Sequence, residues 1–262
     1  MSPVIALLSD FGSQDHYAGT MKGVILAICP AATLVDITHD VPPHDVLTGA
    51  LQLSASYRYF PPGTIFLVVV DPGVGSGRRG IAADAGGYRF VAPDNGVLTA
   101  VFRDEAPRKV VELTERRYAR PTVSRTFEGR DRFAPAAAWL GKGIQLTALG
   151  RPVSSYQHLE LPPPQVTDDA LSGEVMVVDR FGNLVSNIDR RTFETFARSG
   201  PVQIVADGTP IVRIVSTYSE MGPGELCALF GSSDHLEVAL NAGNAAQKLG
   251  AGRGMRIVIR RS

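Results

Sequence analysis

The sequence predicts an α/β fold in two parts: a sandwich-like N-terminal α/β domain with a mostly parallel sheet, followed by a smaller C-terminal β-barrel domain. Three observations carry that expectation. The run Ile65-Phe66-Leu67-Val68-Val69-Val70 is continuously apolar and ends abruptly at Asp71-Pro72-Gly73. A strand with no polar alternation is one buried on both faces, as in a parallel sheet covered by helices on each side. Upstream and downstream of it, short apolar runs alternate with helix-period segments, the pattern of crossover-connected strands. After Leu161-Pro162-Pro163-Pro164 the pattern changes to short apolar runs separated by turns, which is the signature of a β-sandwich or barrel. The expected organisation is therefore residues 1–160, a proline-rich linker over 161–170, and a β domain over 171–262.

Taken in order, Val4 to Leu8 reads as the first strand, ending at Ser9-Asp10-Phe11-Gly12. Tyr17 to Ile28 follows as a helix with Met21, Val24, Ile25 and Ile28 on one face, stopped by Pro30. Thr33 to Ile37 is a short strand. Asp45 is placed to cap a helix from Val46 to Tyr57. The Asp71 strand comes next, then two short apolar segments around Gly86-Gly87 that read as a β-hairpin. A helix is expected over Gly96 to Phe102, a strand over Lys109 to Leu113, and an alanine-rich helix over Phe133 to Leu140, for which Glu128 or Asp131 is a simple cap. In the second part, strands are expected at Gly173–Val178, Leu184–Ile188, Val202–Ala206, Ile211–Val215, Leu226–Phe230, Leu236–Leu240 and Met255–Ile259.

Composition narrows the functional classes. The chain has 262 residues, is 44% hydrophobic and 20% charged, and carries a formal net charge of zero. That balance gives no electrostatic footprint for nucleic acid or an anionic membrane. No apolar stretch is long enough to span a bilayer, and the N-terminus has no basic region ahead of its short apolar run, so the expected location is cytoplasmic. Cys29 and Cys227 lie far apart in apolar surroundings and read as buried thiols.

Two acids fall at the carboxyl ends of expected strands, Asp10 and Asp71, where ligands sit in open α/β sheets. Arg78 follows Asp71 on a glycine-rich loop, and an acid with a guanidinium on one turn can position a small polar species. The letters Gly75-Ser76-Gly77-Arg78-Arg79-Gly80 spell a dinucleotide fingerprint, but a hairpin follows instead of the helix that would receive a pyrophosphate. His39, Asp40, His44 and Asp45 cluster in sequence, but Pro42-Pro43 prevents the helical spacing that would put ligands on one face, so no metal is expected.

The ordered set of motifs resembles the SAM hydroxide adenosyltransferase family, relatives of the bacterial fluorinase and chlorinase, nearly end to end. It comprises Ser9-Asp10-Phe11-Gly12, Met21-Lys22-Gly23, Val35-Asp36-Ile37-Thr38-His39, Asp71-Pro72-Gly73-Val74-Gly75 and Ala92-Pro93-Asp94-Asn95-Gly96. Phe127 with Gly129-Arg130-Asp131, Phe181-Gly182-Asn183 and Gly243-Asn244-Ala245-Ala246 complete it. The resemblance implies a homotrimer with sites between the first domain of one subunit and the β domain of the next, and attack at C5′ of S-adenosyl-L-methionine (SAM) by water or halide with release of L-methionine. It implies no cofactor beyond SAM as substrate. By matching position, Asp10 would hold the ribose hydroxyls, and Asp71 and Arg78 would position or activate water. Thr126 and Phe127 would line the C5′ pocket with Phe60 nearby. Asp179 would bind the methionine ammonium, Ser232 the carboxylate, and Asn183 and backbone near Ala242 the adenine.

Two positions depart from the family pattern. Hydrolytic relatives usually carry His where this chain has Glu128, which leaves three readings open: a substitute base, a disabling change, or retuning for another nucleophile. Ser233-Asp234-His235 stands where relatives often have Gly before an aromatic or apolar residue. The leading expectation is a SAM hydrolase that forms adenosine; the alternatives are a non-catalytic SAM or adenosine binder and a halide transferase.

Overall fold

The computed structural model describes residues 2–198 and 200–261. The chain divides into two compact units, one running to Glu160 and one starting at Leu161.

The first unit holds a seven-stranded sheet and four helices. In chain order these are β1 (Val4–Ser9), α1 (Tyr17–Ile28), β2 (Thr33–Thr38), α2 (Val46–Ser56), β3 (Ile65–Val69), β4 (Gly80–Ala85), β5 (Tyr88–Pro93), α3 (Thr99–Asp104), β6 (Lys109–Leu113), α4 (Ala134–Gly141) and β7 (Gly150–Pro152). Strand order is β2-β1-β3-β5-β4-β6-β7. The sheet buries both faces. Ile5, Leu7, Leu67 and Val69 pack with Met21 and Ile25 of α1 and with the alanines of α4. Ala6, Leu8, Phe66, Val68 and Val70 face Leu53 of α2 and Val101 of α3. This two-sided burial is why β3 reads as an unbroken apolar run.

The expectation of a mostly parallel sheet is corrected here, because the sheet is mixed. β2, β1, β3 and β5 are parallel, while β5–β4, β4–β6 and β6–β7 pair antiparallel. The cause is the hairpin at Gly86-Gly87, whose two positive φ values of 58° and 83° suit a tight turn matched to strand twist. It returns the chain as β5, between β3 and β4, so β4 runs against the parallel strands, and β6 and β7 then add on the far side of β4.

Most helix expectations are met with small shifts. Asp45 caps α2, accepting from the Thr48 amide at 3.0 Å. α3 starts three residues later than expected because Gly96 takes φ 91°. Neither Glu128 nor Asp131 caps α4. The helix is instead entered through a π-helical turn, Gly129–Phe133, with no side-chain cap at Glu128.

The second unit contains β8 (Gln165–Val166), β9 (Ala170–Val178), β10 (Leu184–Asp189), α5 (Arg190–Ala197), β11 (Val202–Ala206), β12 (Thr209–Ile211), β13 (Leu226–Phe230), β14 (His235–Leu240), α6 (Ala245–Leu249) and β15 (Arg256–Arg261). Its antiparallel order is β12-β11-β15-β9-β10-β14-β13, with β8 on β9. A bridge between Ile214 and Ala228 brings the chain after β12 against β13, so the sheet nearly closes on itself. The run Ile211–Val215 is not a continuous strand: it crosses between the two sheet ends, and Val212 is 84% exposed. Helix α5 lay outside the sequence expectation. It is polar except for the buried pair Phe193 and Phe196, and Asp189 caps it through the Thr192 amide at 2.8 Å.

Candidate active site

Asp71 stands two residues beyond the end of β3, at the side of the sheet where the parallel strands terminate. The Asn95 side chain donates to the carbonyl of Val70 at 2.8 Å, which fixes the strand end that carries Asp71. The loop from Pro72 to Arg79 then turns back into β4. Its register is held by the Asp94 amide on the Arg79 carbonyl at 2.9 Å and by the Arg79–Asp94 ion pair. The Pro93-Asp94-Asn95-Gly96 motif is thus a brace for the loop between Asp71 and Arg78.

Within that loop Arg78 grips Asp71 with two donors. Nε reaches Oδ1 at 2.9 Å and Nη2 reaches Oδ2. The same Nη2 lies 2.6 Å from Oε2 of Glu128. All three side chains are largely buried, at 9%, 5% and 12% exposure for Arg78, Asp71 and Glu128. The guanidinium also covers the ring of Phe133 at 5.2 Å, a cation–π contact. Burial alone would lower the Arg78 pKa, but the hydrogen bond and charge of Asp71, with the charge of Glu128, hold it above the ordinary arginine range. One cation therefore sits between two carboxylates in a poorly hydrated pocket. Such an arrangement has the group types to hold a small polar species and accept its proton.

Glu128 reaches this cluster because Gly129 packs against α1 and β3. A Cβ there would lie 3.1 Å from Met21 Sδ and 3.3 Å from Val69. π-turns of this kind recur where a helix must aim a side chain out of its normal register. Phe127, one residue earlier, is buried and stacks edge-on with Phe11 at 5.9 Å and Tyr17 at 5.1 Å. That contact joins the Phe127 segment to the loop carrying Asp10. Thr126 is exposed beside it, its hydroxyl 3.1 Å from Ser124 Oγ.

The Asp10 loop has its own support. Oδ2 of Asp10 accepts from the His44 amide at 2.8 Å. Buried Ser9 pairs its hydroxyl with His39 Nδ1 at 2.7 Å, His39 Nε2 meets Asp36 at 3.0 Å, and Lys22 meets the other Asp36 oxygen at 2.6 Å. His39 is thereby committed to hydrogen bonds. Among the described residues no group of three or more His, Cys, Asp or Glu side chains is arranged to hold a metal. Phe60 packs against Phe66 at 5.3 Å, and its carbonyl accepts from the Tyr88 hydroxyl at 3.1 Å. These contacts lie at the beginning of β3, the opposite end from Asp71, and no described contact links Phe60 to the charged cluster.

Asp131 is fully buried and has a structural part. It takes two hydrogen bonds from Arg130 and one from the Ser124 amide at 2.8 Å, which ties down the segment bearing Thr126 and Phe127. Burial alone would raise its carboxyl. The bonds from Arg130 and Ser124, with the charges of Arg130 and Arg120, outweigh that and hold it below the ordinary 3.8. A depressed folded pKa contributes stability above the unfolded value, and that contribution is lost as pH falls through the lower folded value. Wild-type stability, followed by urea unfolding from pH 6 down to pH 3, is therefore expected to fall more steeply than that of Asp131→Asn, which has no carboxyl to titrate there.

The remaining predicted positions all lie in the second unit. Asp179 closes the β9–β10 turn. Its Oδ1 accepts from the amides of Phe181 and Asn183 at 2.9 and 2.8 Å, and its Oδ2 from Asn183 Nδ2 at 2.9 Å. The Ala246 amide donates to the Gly182 carbonyl at 2.9 Å, which places the Asn183 turn against the segment that begins with Ala242 (φ 53°). Ser232 lies in the tight turn between β13 and β14, next to Gly231, which packs directly on Glu237. Asp234 takes φ 59° in that turn and pairs with Arg190 at 2.6 Å, so the Ser233-Asp234-His235 departure is a locally braced turn.

Glu237 is a residue the sequence reading missed. It is 7% exposed, and Tyr218 donates to its Oε2 at 3.4 Å. Burial, then the neighbouring Asp179 charge, raises its carboxyl above the ordinary range, and the Tyr218 bond offsets this only in part. An acid inside the apolar run Leu236-Glu237-Val238-Ala239 was the available signal. Arg132 was missed too: one turn along from Glu128, it donates to Glu128 Oε1 at 3.1 Å.

Comparison with known proteins agrees with this architecture. The family model for the SAM hydroxide adenosyltransferase N-terminal domain matches residues 5–150, and that for the C-terminal domain matches residues 173–258. Among similar proteins, the (R)-S-adenosyl-L-methionine hydrolase of Salinispora tropica is 39% identical over 98% of each chain, and that of Thermus thermophilus is 37% identical over 98% of this chain and 99% of its own. A fluorinase of Actinoplanes sp. is 29% identical over 98% of this chain and 97% of its own. The crystal structure of an uncharacterized conserved protein from Thermotoga maritima superposes with a TM-score of 0.91 at 37% identity, covering 98% of this chain and all of that one. The chain belongs to the SAM hydroxide adenosyltransferase family.

Proposed function

We propose that the protein is a SAM hydrolase that transfers the adenosyl group to water and releases adenosine and L-methionine. The observation that carries this reading is the buried Asp71–Arg78–Glu128 cluster at the end of β3, in a chain 39% identical to a SAM hydrolase over nearly its whole length. SAM brings its own sulfonium leaving group, so no acid is needed on that side and the reaction asks for no cofactor. What remains is to align a water with C5′, strip it of solvent and take its proton. The cluster has the group types for that work: a fixed guanidinium to hold the nucleophile's oxygen and carboxylates to accept its proton.

The supporting contacts fit the same reading. Asp10 keeps Oδ1 and a lone pair of Oδ2 for two vicinal ribose hydroxyls, since each carboxylate oxygen accepts about two hydrogen bonds. Phe127 and Thr126 form the apolar wall and rim near the reacting carbon. Asp179 retains capacity on Oδ2 for an ammonium, with Ser232 for the methionine carboxylate and Asn183 and the backbone at Ala242 for adenine. A homotrimer and a cytoplasmic location belong to the same proposal; light scattering tests the first. Among the described residues no helix is long and apolar enough to cross a membrane.

The test is incubation of the purified protein with SAM and chromatography against adenosine and L-methionine standards, repeated at high halide. Equal amounts of adenosine and methionine support hydrolysis. Tight SAM binding without product would make the protein a binder, and 5′-halo-5′-deoxyadenosine at high halide would make it a halide transferase.

A further inference from the structure

The charged cluster has a fourth member, Arg132. Two carboxylates, Asp71 and Glu128, share one guanidinium, Arg78, and by themselves would leave a net negative charge where an oxygen nucleophile must gain negative charge. Arg132 balances that count. It lies one turn along from Glu128 with its guanidinium fixed at two points: Nη1 donates to Glu128 Oε1 at 3.1 Å, and Nη2 donates to the carbonyl of Leu113, at the end of β6, at 2.6 Å. The tether to β6 matters, because an exposed i,i+4 pair with two free side chains contributes little and orients nothing.

The two oxygens of Glu128 are thereby made different. Oε1 is occupied by Arg132. Oε2 is held by its 2.6 Å ion pair with Arg78 Nη2, and among the described residues no other group donates a hydrogen bond to this buried atom. Its charge is met by the Arg78 ion pair alone, which leaves a lone pair open to a further donor such as water. Asp71 offers no equivalent atom, since Arg78 engages both of its oxygens.

We propose that Arg132 is a positioning residue: by holding Oε1 of Glu128 against the end of β6, it presents Oε2 beside Arg78 as the atom that takes the proton of the attacking water. This rests on the hydrolase reading of the site. In the step, a water O–H bond breaks and its proton passes to Oε2. The oxygen forms the bond to C5′, and the C5′–S bond breaks with its electron pair moving to sulfur, so the sulfonium becomes the neutral thioether of L-methionine. Glu128 then returns its proton to solvent.

The experiment compares initial rates of adenosine formation across SAM concentrations for wild type, Arg132→Met, Arg132→Lys, Glu128→Gln and the double variant Glu128→Gln with Arg132→Met. Arg132→Met is expected to lower kcat by about tenfold or more with KM within about twofold, because the lost contact acts on the chemical step. Arg132→Lys restores part of kcat, since it keeps the charge but cannot span both Leu113 and Oε1. In the Glu128→Gln background, Arg132→Met changes kcat by less than about twofold, the non-additivity expected of residues acting as one unit. An equal fall in both backgrounds, or a wild-type kcat for Arg132→Met, overturns the proposal. Melting temperatures separate loss of fold from loss of chemistry; if Arg132→Met does not fold, a wild-type kcat in Arg132→Lys overturns it instead. Absence of adenosine from wild-type protein would overturn the hydrolase reading and this proposal together, whereas normal wild-type turnover with an unaffected Arg132→Met variant overturns this proposal alone.

Discussion

Asp71→Asn is expected to reduce SAM turnover by about 10²–10⁴-fold, the range for losing a group that organises proton transfer in an active site, with the fold retained. The reason is geometric as well as electrostatic. Asp71 presents two acceptors to the Nε and Nη2 of Arg78, and this bidentate grip fixes the plane of the guanidinium. Asparagine presents one acceptor and one donor. Its NH₂ would face an arginine N–H, so one leg of the grip is lost and the plane of the guanidinium is no longer fixed. Stability changes little, because Arg78 keeps Glu128 as a counter-ion. Steady-state kinetics with circular dichroism on the same samples decides the matter, and wild-type turnover in Asp71→Asn would remove Asp71 from the mechanism.

Arg78→Met has the largest expected effect on stability. It leaves the Asp71 and Glu128 carboxylates buried beside each other without the cation that separates them, and breaking a buried ion pair in this way costs about 3–5 kcal/mol. Methionine refills much of the space over Phe133, so the loss is one of charge and not of packing. A cost of that size lowers the melting temperature by roughly 10 °C in a chain of this length. Adding Asp71→Asn to Arg78→Met removes one of the stranded charges and is expected to recover part of the loss. Differential scanning calorimetry of the single and double variants measures this coupling. Additive destabilisation would mean that the two side chains are not energetically paired.

Both expectations depend on a site that was only partly legible in sequence. Asp71 was readable because an unbroken apolar run ending in Asp-Pro-Gly marks a buried strand and its exit, and Arg78 because it follows on the same loop. Glu128 came into view by motif position alone, fifty residues from Arg78. Its approach depends on the tight packing of Gly129 on Met21 and Val69 and on a π-turn that propensity does not announce. Arg132 and Glu237 were missed for a common reason: a charged residue in an otherwise regular segment reads as solvated until its neighbours are known. Phe60, placed near the reacting carbon by motif position, packs on Phe66 and accepts from Tyr88 at the other end of β3.

The sequence by itself determined the elements whose period and punctuation are local. Helix α1 runs from Tyr17 to Ile28 as its apolar face dictates, Asp45 caps α2, β6 spans Lys109 to Leu113, and the Gly86-Gly87 hairpin forms where two adjacent glycines permit it. Strand direction, partner choice and charge pairing were decided by tertiary structure. The hairpin made the first sheet mixed, because a two-residue turn returns a strand antiparallel beside its partner whatever the crossovers before it do. Ile211–Val215 has the composition of a strand but crosses between sheet ends, and α5 is a helix held by only two buried phenylalanines. Pairing of the Asp71–Arg78–Glu128–Arg132 row is likewise a property of the packed chain: four charges drawn from a strand end, a loop and a π-turn become one neutral unit only when the sheet brings them together.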